Sequence, residues 1–239
     1  MNTQVLTPKP KFLDKNYIPP LENGDRLTRE EFHRRYEAMP ENVRAELIKG
    51  VVYMSSPVRV NKHGVPHARM MGFLSYYHMS TTGLDLLDNV TYIANDEYEP
   101  QPDGVLRIHE AYGGKSWRNE DDYLEGAPEL VLEISSSSVS YDLHDKLEIY
   151  EQKGVQEYIV WRVLDEQIDW FSLENGKYNR FAADKKGNVE SKVFPGLRLD
   201  VNALLQNDLK KVLATLQAGM ASKKYFEFAA KFGKLPRSL

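Results

Sequence analysis

At 239 residues, with 41% hydrophobic and 28% charged content, the chain is long enough for one substantial core and short for two domains of ordinary size. The absence of cysteine removes disulfides, thiolate metal sites and cysteine nucleophiles together, so any metal must be held by oxygen or imidazole. A formal net charge of -4 argues against a general nucleic-acid coat protein, although residues 203–239 carry seven Lys or Arg against Asp208 and Glu227.

The opening MNTQVLTPKPKF lacks the apolar core of a signal peptide, and no apolar run approaches the roughly 18 to 20 residues of a membrane helix. The expectation is a soluble, cytoplasmic protein without membrane contact. Residues 1–25, with Pro8, Pro10, Pro19 and Pro20, read as an extended arm. Thr28 and Glu31 form a capping box, which predicts a helix to about Met39, stopped by Pro40. ELIKGVVYMSSP (46–57) reads as a hairpin turning at Lys49-Gly50, opened by Glu46. RVNKHGVPHAR (59–69) reads as a basic loop leading into a helix whose Met71, Leu74 and His78 share a face. Residues 84–94 have strand composition.

QPDGVLRIHE (101–110) predicts a strand with Asp103 at its mouth, Val105, Arg107 and His109 beside it on one face, and Leu106 and Ile108 on the other. A polar loop to about Gly126 follows. PELVLEIS (128–135) predicts the strongest strand, and its alternation buries Glu133 with Val131. YDLHDKLEIYEQKG (141–154) predicts one helix ending at Gly154, and VQEYIVWRV (155–163) a further strand. An Asn175-Gly176 hairpin precedes C-terminal helices, among them an amphipathic one marked by Leu209, Val212, Leu213 and Leu216. The order predicts an α/β (α+β) fold with a mixed central sheet flanked by helices and added hairpins.

Hydrolysis of a phosphodiester calls for a metal that neutralises phosphoryl charge and activates water, and Mg²⁺ or Mn²⁺ prefers carboxylates plus retained water. Asp103 and Glu133, on two predicted strands, offer such oxygens; Glu46 could bring a third, and Lys146 an ammonium for the scissile phosphate or attacking water. Each has an ordinary reading too. Asp103 after a proline suits a turn, Glu133 a structural ion pair, and Lys146 with Asp142 a solvated helical bridge.

His63 and His67 are four apart, but Gly64 and Pro66 argue against a helix that would make them zinc ligands. With Arg59, Lys62 and Arg69 they instead read as a loop that meets phosphate or is solvated. No glycine-rich phosphate loop is present.

Taken together, ELIKGVVYMSSP, QPDGVLRI, EGAPELVLEISSSS, YDLHDKLEIYEQKGVQEYIVW and FPGLRLDVNALL resemble the Uma-two family of restriction-endonuclease-like proteins, within the PD-(D/E)xK nuclease superfamily, over about residues 28 to 205. The resemblance implies a restriction-endonuclease-like core and a Mg²⁺-dependent deoxyribonuclease. It carries the motif aspartate to Asp103, the second acid to Glu133, the early acid to Glu46 and the helix-borne base to Lys146. Two departures stand out. Ser135 occupies the position of the lysine in (D/E)xK, and Ser136-Ser137 replaces Ser-Pro before the helix.

The expected organisation is an arm (1–25), a nuclease-like domain (26–205) and a C-terminal helical extension (206–239), with DNA as partner and a homodimer as the assembly. Two other readings stay open: a catalytically inactive nucleic-acid-binding or assembly module on the same fold, and a small-molecule phosphohydrolase.

Overall fold

Thr28 begins the first helix by accepting a hydrogen bond from the Glu31 amide at 3.3 Å, so α1 runs Arg29–Glu37 and buries Phe32. This computed structural model describes residues 17–55, 58–136 and 138–233. Most of the expected N-terminal arm therefore lies outside the described residues, as do Lys234 and Arg237 of the basic C-terminal stretch.

The hairpin forms as its turn chemistry predicts. β1 (Ala45–Ile48) and β2 (Val51–Met54) pair antiparallel around Lys49 and Gly50, both at positive φ. The basic segment after it is helical instead of a loop. A single π turn, Val60–Gly64, runs straight into α2 (Val65–Met79). Pro66 falls at the N-terminal end of α2, directly after the π turn, and the helical run passes through it without a break. The buried face is Met70, Phe73, Leu74 and Tyr77, one residue out of phase with the expected Met71 and His78.

A six-stranded mixed sheet forms the centre, in the order β10-β9-β8-β7-β4-β3. Its members in chain order are β3 (Leu84–Asp88), shorter than expected, and β4 (Gly104–Ile108). The polar stretch to Gly126 then makes a small hairpin, β5 (Ser116–Arg118) with β6 (Leu124–Gly126), where a loop was expected. β7 (Leu130–Ser135) is buried throughout. The helix after it is broken in two, α3 (Val139–Asp142) and α4 (Asp145–Lys153); Gly154 caps the second with φ 82°. β8 (Glu157–Arg162) returns parallel to β7, the one parallel pair of the sheet. β9 (Gln167–Glu174) and β10 (Lys177–Arg180) follow as the Asn175-Gly176 hairpin. Finally β11 (Asn188–Glu190) pairs with β12 (Arg198–Asp200), and α5 (Val201–Leu205), α6 (Leu209–Met220) and α7 (Lys223–Ala229) close the described chain.

Strand alternation divides the sheet into two faces. Leu106, Leu130, Leu132, Ile134 and Ile159 join α2 and the C-terminal helices in the larger core. Val212 and Leu216 of α6 enter that core, whereas Leu209 and Leu213 stay 46% and 40% exposed, so only half of the predicted apolar stripe is covered. Val105, Val131, Tyr158 and Val160 face the other way, toward Ile149 and Tyr150 of α4. Asp103 and Glu133 belong to this second face. No helix among the described residues is long and apolar enough to cross a membrane.

Candidate active site

Glu133 projects from the middle of an otherwise apolar strand and is 4% exposed. Such a carboxylate needs partners, and α4 supplies them. Lys146, Ile149 and Tyr150 are the buried residues of α4, spaced so that one helical face meets the sheet. Lys146 Nζ donates to Glu133 Oε1 at 3.0 Å and to Glu46 Oε1 at 2.8 Å, and the Tyr150 hydroxyl donates to the same Glu133 oxygen at 3.1 Å. Glu46 reaches in from β1 and also accepts the Gln101 amide at 2.7 Å. The reading of Lys146 with Asp142 as a solvated bridge is overturned: both are buried, with Asp142 Oδ1 3.6 Å from the ammonium.

Asp103 stands one residue beyond the Gly104–Leu132 pair, which sets it across from Glu133. Its carboxylate is held from two sides. Oδ2 accepts the Ile134 amide at 2.6 Å, and Oδ1 lies 2.9 Å from His63 Nε2. His67 Nε2 is 3.1 Å from the Asp103 carbonyl oxygen and 3.2 Å from Asp88 Oδ1. The helix continuing through Pro66 brings the two imidazoles into a stack, with ring centroids 5.5 Å apart. Both are thus tied to Asp103 and are not free in a basic loop.

These groups share one cavity of about 710 Å³, which holds Glu46, Asp103, Glu133, Asp142 and Lys146. Arg59, Lys62, His63 and His67 line it as well. Arg69 does not; it lies in an apolar groove of about 510 Å³ between α2 and α6. The composition of the cavity also includes groups the sequence reading passed over: Asp142, Arg44, Tyr53 and Tyr141. Asp142 was visible only as an i, i+4 neighbour of Lys146, and it is buried at the end of α3, just before the helix break at residues 143–144. No sequence signal marked Arg44 or the two tyrosines.

Charge in the cavity is unbalanced. Among its buried and half-buried groups four carboxylates face one lysine and two imidazoles, while Arg44, Arg59 and Lys62 line the cavity as exposed groups. Burial raises the Glu133 carboxyl well above its usual value against the pull of Lys146, and Asp142, Asp103 and Glu46 add to the rise. Burial likewise raises Asp142. For Lys146 burial acts downward, but Glu133, Glu46 and Asp142 outweigh it and lift the ammonium well above an ordinary lysine. His63 is raised by its hydrogen bond to Asp103, against burial.

A divalent cation suits this donor set on one structural observation: Asp142 Oδ1 is buried with no hydrogen-bond partner, in an acid-rich cavity of oxygen donors. Glu46, Asp103 and Glu133 are not among the sets of three whose ligand atoms all lie within 4.8 Å; among the described residues that set is Asp85, His109 and Glu110, at the far end of β3 and β4. Holding one ion jointly therefore requires the cavity carboxylates to draw together.

No curated protein matches the chain. A crystal structure of "a putative nuclease belonging to DUF820" from Anabaena variabilis is similar over 77% of this chain and 97% of its own, with a TM-score of 0.50 and 12% identity, a likeness of fold. The family model described as "Uma2: Putative restriction endonuclease" matches residues 29–202, which spans α1 through β12 and every acid of the cavity, and the chain belongs to that family.

Proposed function

We propose that the protein is a metal-dependent endonuclease hydrolysing DNA phosphodiester bonds at the Glu46–Asp103–Glu133–Lys146 cavity. The observation that carries this reading is Lys146 Nζ lying 2.8 Å from Glu46 and 3.0 Å from Glu133, inside the cavity that Asp103 enters from the neighbouring strand. That arrangement meets the superfamily requirement for a lysine beside the second acid, although Ser135 stands where the lysine would otherwise be.

In this reading Asp103 and Glu133 hold Mg²⁺ or Mn²⁺, with Glu46 assisting directly or through water. The ion supplies charge neutralisation at the phosphoryl group and lowers the pKa of a bound water. The rest belongs to the protein. The Ile134 amide and His63 fix the Asp103 carboxylate, and the Tyr150 hydroxyl fixes Glu133. Lys146 keeps its proton, because three acids surround it, and so presents an ammonium to the attacking water or the developing phosphorane charge. Arg59, Lys62, His63 and His67 border the cavity and steer the phosphate backbone toward it. Arg69 lies outside the cavity and is a backbone contact at most. Cutting both strands of a duplex with one centre per chain calls for a homodimer.

A second reading, an inactive nucleic-acid-binding module, draws on the same contacts: Lys146 is already hydrogen-bonded to two acids, as in a structural ion pair. Incubating supercoiled plasmid and single-stranded DNA with Mg²⁺ or Mn²⁺ separates the two. Wild type should cut, and Asp103→Ala and Lys146→Ala should each lose on the order of a hundredfold or more of the rate. Equal cleavage by all three proteins, or none by wild type, removes the nuclease reading.

A further inference from the structure

Two tyrosines form a wall of the cavity and take no part in the chemistry above. Tyr53 comes from β2 and Tyr141 from α3; their ring centroids are 4.9 Å apart with planes inclined at 33°. Both line the cavity that contains Glu133 and Lys146. Lys146 Nζ lies 5.8 Å from the centre of the Tyr141 ring, so the aromatic wall adjoins the ammonium. Burial, followed by the negative charges of Asp142 and Glu46, pushes the Tyr141 phenol up to about 12, and a phenol is uncharged at neutral pH even at its ordinary value. Exposed Arg44, Arg59 and Lys62 supply cationic groups at the same cavity.

An uncharged aromatic surface next to an ammonium, with arginine and lysine nearby, complements a flat aromatic ligand joined to phosphate. That description fits a nucleotide. A cavity of 710 Å³ falls within the roughly 300 to 1,000 Å³ of pockets that enclose a single small ligand. Bases inside a duplex have both faces covered by their neighbours, and only an unstacked base can offer a face to tyrosine. Stacking on aromatic side chains is also how sequence-tolerant single-strand binders hold each base.

We infer that the Tyr53–Tyr141 wall is a nucleobase-stacking subsite that takes one unstacked base of a single-stranded or frayed nucleic acid, beside the phosphate to be cut. The phosphate's place in this inference rests on the nuclease reading; the base-binding role does not. The subsite makes single strands and opened junctions the preferred ligands, with fully paired DNA a poorer one.

The test is an equilibrium titration of the whole chain with a single-stranded oligonucleotide carrying 2-aminopurine, whose fluorescence is quenched on stacking, in Ca²⁺ with oligonucleotide integrity checked on a gel. Binding should quench the probe, and the same sequence as a duplex should bind about tenfold more weakly or worse. Tyr141→Leu should weaken single-strand binding by about tenfold, while Tyr141→Phe keeps it. Tyr53→Leu provides the same readout from a different strand if Tyr141→Leu does not fold. Equal affinity for single strand and duplex in the wild type, or binding unchanged in both leucine variants, overturns the subsite. A protein that quenches the probe yet cuts no DNA keeps the subsite and loses only the nuclease reading; one that cuts duplex without quenching loses the subsite alone.

Discussion

Among the described residues, acids gather round two buried cations, Arg107 and Lys146, and the two clusters are built differently. At the end of β4, Arg107 donates to the Ser116 carbonyl at 2.7 Å and pairs with Asp85 at 2.7 Å and Glu110 at 2.8 Å. Its acids are partly exposed, with side chains 30% and 43% accessible. On Glu110 burial pushes upward, but a backbone hydrogen bond and Arg107 prevail and hold the carboxyl below its usual value. Around Lys146 the acids are more numerous and more deeply buried, and Glu133 moves the opposite way. Beside Arg107 the shallowly buried Glu110 is lowered, whereas deep burial raises Glu133 and Asp142 in spite of Lys146, with neighbouring acids adding to the rise.

The comparison breaks most sharply at Lys146. Lys146→Met should leave Glu133 and Asp142 as uncompensated buried carboxylates and cost about 3–5 kcal/mol of stability. Thermal melting with and without Mg²⁺ should then show a larger metal-dependent rise than in wild type. Arg107→Leu should cost less, about 1–3 kcal/mol, because Asp85 and Glu110 can turn to water. It should leave cleavage per folded molecule unchanged, and a parallel loss of cleavage would mean that the two clusters are not separate.

Acidity gives a smaller and more graded contrast. The raised Glu133 prefers its proton in the folded state, so ionising it reduces stability as pH climbs from its ordinary value of 4.5 through the higher folded value. Glu110 is depressed, so its contribution is present above 4.5 and disappears as pH falls through the lower folded value. The increase in melting temperature on adding Mg²⁺ should accordingly be absent near pH 4.5 and grow toward neutrality in wild type. Glu133→Gln should flatten that dependence, whereas Glu110→Gln should leave it intact.

Legibility differed from element to element for physical reasons. The Thr28 cap, the Lys49-Gly50 and Asn175-Gly176 turns and the alternation in LVLEIS are local, and each formed as its residues dictate. Pro66 misled because a proline is read as a helix breaker, whereas here it sits at the junction of the π turn with α2 and the helical run passes through it. The single helix expected over 141–154 is interrupted at residues 143–144, where Tyr158 from β8 donates to the Asp142 carbonyl, a sheet-to-helix contact that no local pattern contains. Asp142 was hidden for the same reason.

Sequence alone thus determined the elements that depend on neighbours within a few residues: caps, two-residue turns, and the faces of the strands that carry Asp103 and Glu133. The tertiary structure decided which distant side chains meet. Glu46 and Lys146 are 100 residues apart yet hydrogen-bonded, and the Tyr53–Tyr141 wall joins β2 to α3. Periodicity specifies which way a side chain faces, whereas packing of the sheet against α4 specifies what it faces, and the chemistry of the cavity depends on the second.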